Sequence, residues 1–310
     1  MITRREFLTR SVSAAACHLS YRGLASATAV SGPNLSFPSP PRERIAVASY
    51  PFRDFIRKPG QSSPGKIELK DFAAHVIAKF RIDKIEPWTG HFPSTDPEYL
   101  EQFRAAVGRA HAMIANIAVD GEHSPYAANR EERAQAIAFG KKWVDAATAL
   151  GAHSVRINIP DAKDAKPDLE RAAQSLSEIV EHASTKRVVV NLENDNPLSE
   201  DPFFLVELIG KVNNPWLHAL PDFGNTLAHF DADHAYRGIG AMAAKAYNIC
   251  HVKEMEVGRD GRLARVDLAK TFGMLKQQGY KGYLSMEWDS PGDPYAGTAD
   301  LIEKTLRYLS

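Results

Sequence analysis

Cysteine is nearly missing from this chain: 310 residues contain two, Cys17 and Cys250. A fold stapled by a disulfide framework is therefore excluded, and the chain has to stand on its core. No apolar run approaches the roughly 20 residues of a membrane-spanning helix, so no membrane span is expected. Charge of one sign is not in excess either, with 38 basic and 38 acidic residues. Nucleic-acid binding usually needs a basic domain or stripe, so no nucleic-acid partner is expected. None of the β-rich runs is followed by a glycine-rich phosphate fingerprint, which disfavours an open dinucleotide-binding sheet.

What is present begins with an unusual N-terminus. Arg4 and Arg5 precede Phe7 and Leu8, a weakly apolar stretch follows, and Ala25-Ser26-Ala27 offers a cleavage site. This order resembles a twin-arginine export signal, so residues 1–27 are expected to be a signal peptide and the protein periplasmic or exported. Its removal would also take Cys17, leaving Cys250 alone. Residues 28–43 are rich in Pro and Ser and read as a linker.

From Arg44 to the end, short β-rich runs alternate with longer amphipathic ones. The strand candidates are 44–52, 83–88, 113–119, 153–159, 187–193, 216–222, 247–253 and 282–288, their starts 29–40 residues apart. Helix candidates between them include 67–80, 131–150, 168–184, 198–212, 265–279 and 297–309, with apolar residues recurring at three and four. Eight such units predict a single α/β domain over residues 44–310, a (β/α)8 TIM barrel.

Alternation along the strands then assigns faces. Val188, Val190 and Leu192 oppose Asn191 and Glu193; Cys250 and Val252 oppose His251 and Lys253; Leu284 and Met286 oppose Ser285 and Glu287. The apolar face should meet the helices and the polar face the barrel interior. Glu193, Asp222, His251 and Glu287 each end one of the last four strands, 29, 29 and 36 residues apart. One carboxylate at a strand end is more often a cap or an ion-pair partner. Four groups in register on consecutive strands point at a common centre, where barrel active sites are built. Three carboxylates so placed repel one another unless a cation lies between them. An oxygen-rich set with one nitrogen suits a divalent metal, with manganese the first expectation and magnesium, cobalt or zinc the alternatives.

This arrangement resembles the xylose isomerase-like barrels, in particular the sugar phosphate isomerase/epimerase family. The carriers are "SYPFRD" (49–54), "VNLEND" (190–195), "PDFGN" (221–225), "HVKEM" (251–255) and "GYKGYLSMEW" (279–288). The resemblance implies that Glu193, Asp222, His251 and Glu287 bind one divalent metal. It also implies that Glu193 and Glu287 carry protons in enediolate chemistry on a keto-sugar or keto-glycoside, giving an isomerase or epimerase. Lys253, on the same inward face as His251, is expected to contact a substrate oxygen, with a structural ion pair as the alternative. Arg156 and Asn158 are candidates for binding sugar hydroxyls or an anionic group. Glu86, Trp88 and His91 are candidates for the pocket wall, and Phe52 and Arg53 for its mouth. Asp289 reads as a loop residue without a role.

Three other functions remain in view. A lyase or hydratase would eliminate across an oxidised, 3-keto glycoside with the same metal and base. A non-catalytic sugar-binding barrel would keep the site without turnover. The related DNA-cleaving branch needs a histidine three residues after the sixth-strand aspartate, and Asn225 stands there. The expected partner is thus a small carbohydrate, and a homo-oligomer is also allowed.

Overall fold

The computed structural model describes residues 31–60, 65–258 and 260–309. The expected signal peptide, residues 1–27, lies outside them. Parallel strands β1 (Ile45–Ala48), β2 (Lys84–Glu86), β3 (Met113–Ile114), β4 (Ile117–Val119), β5 (Ser154–Ile157), β6 (Val189–Glu193), β7 (Leu217–Leu220) and β8 (Ile249–Val252) form the wall. A small antiparallel hairpin, β9 (Met255–Val257) and β10 (Leu263–Arg265), follows β8, and β11 (Tyr283–Met286) completes the wall. The ladders run β3-β2-β1-β11-β8 and β4-β5-β6-β7. Single parallel bridges, Trp88 to Ala118 and Asp222 to His251, join the two sheets into a closed (β/α)8 barrel.

β3 and β4 make one stave, broken at Ala115 and Asn116, where the sequence predicts one strand over 113–119. Asn116 leaves the ladder because its buried amide is used inside the barrel: it donates to Glu86 at 2.6 Å and accepts from Ser154 at 2.6 Å.

The helices are α1 (Phe72–Phe80), α2 (Pro97–Arg109), α3 (Arg130–Leu150), α4 (Leu169–Lys186), α5 (Pro202–Val212), α6 (Asn225–His229), α7 (Ala232–Ala243), α8 (Leu268–Gln277) and α9 (Pro294–Leu309). Their starts are chemically marked. Asn129, Asp168, Asp201, Asp231 and Asp267 each accept a backbone N–H of the first turn. α2, α6 and α7 are absent from the helix candidates read from the sequence. α2 nevertheless opens on Asp96-Pro97 and buries Leu100, Phe103 and Val107.

The two faces of the wall differ as alternation requires. Val47, Val155, Val190, Leu192, Cys250, Val252, Leu284 and Met286 are buried in the core that the helices share. A second, smaller apolar layer, containing Ala46, Ala115, Leu220, Ile249 and Tyr283, lies apart from that core. Phe37 packs against this layer, its ring centroid 5.5 Å from Tyr283 and 5.7 Å from Tyr247. Trp216 donates to the Ser31 carbonyl, and the Tyr247 hydroxyl accepts from the Leu35 N–H. From Ser31 onward, the stretch read as a linker is thus packed onto the barrel.

Phe37→Ala is expected to lower unfolding free energy by about 2 kcal/mol. That is below the roughly 3–5 kcal/mol of a fully buried phenylalanine, because Phe37 is only partly buried. Urea denaturation at constant m-value measures it; a change under about 0.5 kcal/mol, the range of neutral surface substitutions, would show that the segment is not part of the core.

Candidate metal and sugar site

Four consecutive staves, β6, β7, β8 and β11, deliver Glu193, Asp222, His251 and Glu287 to one point. One donor atom from each lies within 4.8 Å of all the others, and all four residues are buried. Local structure aims each group. Asp222 Oδ1 accepts the backbone N–H groups of Gly224 (2.8 Å) and Asn225 (2.6 Å), in the turn that opens α6. Asn194, the residue after Glu193, ties β6 to β7: its side chain accepts from Asp222 N and donates to the Asp222 carbonyl. Gly224 keeps this turn close to the next stave, since an added Cβ there would sit 3.3 Å from Lys253 Cβ.

His251 is held from both sides. Nδ1 lies 2.6 Å from Glu193 and 3.1 Å from Glu287; Nε2 lies 2.9 Å from both oxygens of Glu86. Burial works against a charged imidazole, yet Glu193, Glu287 and Glu86 outweigh it and raise the His251 pKa well above the ordinary value. Burial drives the Asp222 carboxyl up to about 8 despite the nearby Lys253, with the charges of Glu193 and Glu287 adding to the rise. Burial likewise raises Glu193, against the pull of His251 and Arg156. For Glu287, the charges of His251 and Lys253 overcome the burial penalty and hold it below the usual range.

The donor set fits a divalent cation. Asp222 Oδ2 is fully buried, has no hydrogen-bond partner among the described residues, and lies 4.0 Å from His251 Nδ1. Lys253 Nζ, 3.6 Å away, is too distant for a good hydrogen bond to it. A buried carboxylate oxygen without a hydrogen bond is costly, and three carboxylates with one imidazole form a donor set suited to a divalent metal. With Nδ1 turned to that centre, Nε2–H donates to Glu86, the carboxylate–histidine pairing typical of metal sites.

The surrounding cavity holds about 140 Å³, well below the roughly 300–1,000 Å³ of drug-sized pockets. Trp88, Arg156, Glu193, Lys253 and Glu287 line it among the residues singled out from the sequence. Arg156 Nε lies 2.9 Å from Glu193, and Nη1 donates to Asp120 at 2.5 Å. Lys253 donates to Asn225 (2.6 Å) and Glu256 (2.9 Å) and lies 3.2 Å from Glu287. Gly90 lies under the Trp88 indole, at a distance that leaves no room for a Cβ.

Four residues singled out for the cavity or its mouth are placed elsewhere. Phe52 is fully buried among Phe72, Phe80 and Tyr295. His91 is buried behind Trp88, 3.0 Å from the Ser49 hydroxyl, and burial lowers its pKa to about 4. Asn158 accepts the Gly121 N–H at 2.8 Å and shapes the loop after β4. Glu86 is fully buried beneath His251, where Asn116 and Ser285 also donate to it. Period-two parity puts Glu86 on the inner face but cannot tell that His251 covers it.

Conversely, Tyr50, Asp195, Glu256 and Asp289 line the cavity without having been expected there. Asp289, read as a role-free loop residue, pairs with Arg53 at 2.9 Å, and the Arg53 guanidinium lies over the Tyr50 ring. The sequence signal for that pairing is weak, because 236 residues separate the partners.

Residues 75–310 match the Xylose isomerase-like TIM barrel family. The chain belongs to that family. L-ribulose-5-phosphate 3-epimerase of Shigella flexneri serotype 5b is 30% identical over 177 residues, 53% of this chain and 60% of that protein. The chain thus spans about three fifths of the length of this curated relative. Among solved structures, a xylose isomerase-like TIM barrel protein from Mycobacterium smegmatis in complex with magnesium superposes with a TM-score of 0.64. It has 18% identity and covers 86% of this chain and 96% of its own. D-psicose 3-epimerase from Clostridium cellulolyticum H10, with D-tagatose, gives 0.61 at 14% identity over 86% and 96%. At such identities the structures speak for the fold of this xylose isomerase-like barrel.

Glu86→Gln puts an amide N–H where His251, Asn116 and Ser285 all donate. It is expected to weaken divalent-metal affinity by about 10–100-fold. Calorimetric titration of Mn²⁺ into metal-stripped protein measures this, with circular dichroism as the folding control. A folded variant within twofold of the parent would remove Glu86 from metal positioning.

Proposed function

We propose that this xylose isomerase-like barrel is a divalent-metal-dependent isomerase or epimerase of a keto-sugar or keto-glycoside, with manganese the preferred ion. The observation that carries the reading is the pair Glu193 and Glu287. They stand at the two ends of the four-stave arc, line the same cavity, and have Asp222 and His251 between them. The curated relatives that are sugar 3-epimerases support the same class.

Glu193, Asp222, His251 and Glu287 would hold the cation, which when bound supplies positive charge to polarise the sugar carbonyl and stabilise the developing oxyanion. One glutamate removes the proton from the carbon beside the carbonyl. The other, itself protonated from solvent, would deliver a different proton: to the opposite face for an epimer, or to the neighbouring carbon for an isomer. The Lys253 ammonium, buried between Asp222 and Glu287, adds fixed positive charge near the oxygen that becomes negative. Arg156 fixes the orientation of Glu193 through their 2.9 Å contact. Tyr50 and Trp88, edge to face at 5.2 Å, form the apolar side of the cavity, suited to the C–H face of a sugar ring.

Export by a twin-arginine route belongs to the same proposal and rests on the Arg4–Arg5 pair. A reporter fused to residues 1–35 should be exported only in a twin-arginine-competent host; its retention there would refute this part.

Glu287→Gln is expected to reduce solvent-deuterium incorporation next to the carbonyl by at least about 100-fold, the usual loss for a proton-transfer group. Proton NMR in heavy water reads it out. Full exchange in the variant would refute the role of Glu287. Accumulation of an unsaturated product by the parent enzyme would instead identify an eliminating lyase.

A further inference from the structure

We infer that the sugar taken by this site is uncharged: a free ketose or keto-glycoside and not its phosphate ester. The inference rests on the isomerase or epimerase reading above and concerns the cavity around the four converging groups.

The cavity wall carries charge of predominantly one sign. Beyond Glu193 and Glu287, four more carboxylates line it: Asp120, Asp195, Glu256 and Asp289. Two cations line it, and both are already engaged. Arg156 is shared between Asp120 and Glu193, and Lys253 between Glu256 and Glu287. Arg53, near the mouth, is paired with Asp289. Asp195 is exposed and has no ion-pair partner among the described residues.

A phosphate dianion entering this cavity meets carboxylates first. It would gain an arginine or lysine only by displacing a carboxylate that then stands unpaired beside it. A divalent ion held by three carboxylates and a neutral imidazole contributes no net positive charge to offset this. A polyol faces the opposite balance. Its hydroxyls donate, and carboxylates are acceptors only, so Asp195, Glu256 and Asp289 suit the hydroxyls of a neutral sugar. The indole of Trp88 and the ring of Tyr50 supply the remaining, apolar wall. Selection against the phosphate is thus built from repulsion as well as fit.

The test compares a ketopentose with its own 5-phosphate on the full-length, Mn²⁺-loaded enzyme. Deuterium exchange gives kcat/KM, and calorimetry gives binding independently of turnover. The expected result is a kcat/KM and an affinity at least tenfold higher for the free sugar. The gap should narrow as KCl rises, because salt screens exposed charges. It should narrow again in Asp195→Lys. A phosphate bound equally well or better overturns the inference and leaves the isomerase reading standing. A free sugar that binds selectively but never exchanges upholds the inference and overturns the isomerase reading. Discrimination unchanged by both salt and Asp195→Lys would show that shape, not charge, excludes the phosphate, and would overturn the electrostatic argument.

Discussion

Three carboxylates and one imidazole face one another in a space from which the protein excludes most water, and much of the barrel is organised around that repulsion. Two like charges 4 Å apart repel by about 4 kcal/mol at an effective dielectric of 20. Protonating Asp222 is one way to relieve it: burial first, and then the charges of Glu193 and Glu287, raise its carboxyl to about 8. A bound divalent ion is the other. The donor geometry suits the second: Asp222 Oδ1 is held by two backbone N–H groups, while Oδ2 has no hydrogen-bond partner among the described residues and has only Lys253, at 3.6 Å, beside it.

Holding such a cluster in register requires a rigid frame, and the frame is supplied from below. Glu86 grips His251 Nε2, Asn116 and Ser285 donate to Glu86, and Ser154 donates to Asn116 and accepts from Asn248. This chain of side chains crosses five staves of the wall. Its cost is visible in the backbone: the stave of β3 and β4 gives up ladder pairing at Asn116 so that the amide can turn inward. A connected polar network in a low-dielectric interior favours one arrangement, because any partner removed leaves a buried group unpaired. Beneath it lies an apolar layer closed by Phe37, so the polar network is bounded on the side away from the cavity.

The legible part of the fold is the part governed by period and spacing. Alternation placed Val190, Leu192, Cys250 and Leu284 toward the helices, and unit spacing brought Glu193, Asp222, His251 and Glu287 to successive strand ends. Both follow from local geometry repeated eight times. What could not be read depends on contacts between residues remote in sequence. The Arg53–Asp289 pair is one such contact, and Phe52 turning into an aromatic core instead of the mouth is another. The Pro- and Ser-rich composition of residues 28–43 suggested a linker, but one ring, Phe37, and a few backbone hydrogen bonds suffice to anchor its described part. Met255–Val257 and Leu263–Arg265 pair as the β9–β10 hairpin and bring Glu256 to the cavity, a pairing that neither strand period nor unit spacing announces.

Strand ends and loops divide the labour at this site. Glu193 ends β6, His251 lies within the β8 ladder, and Asp222 and Glu287 stand just beyond β7 and β11. Asp120, Asp195, Glu256 and Asp289 come from the segments that follow β4, β6, β8 and β11, outside the parallel ladders of the wall. A phosphate-binding relative therefore need not differ at the converging four groups at all. It needs only loops that present unpaired cations, where this chain presents carboxylates and cations already bound to them.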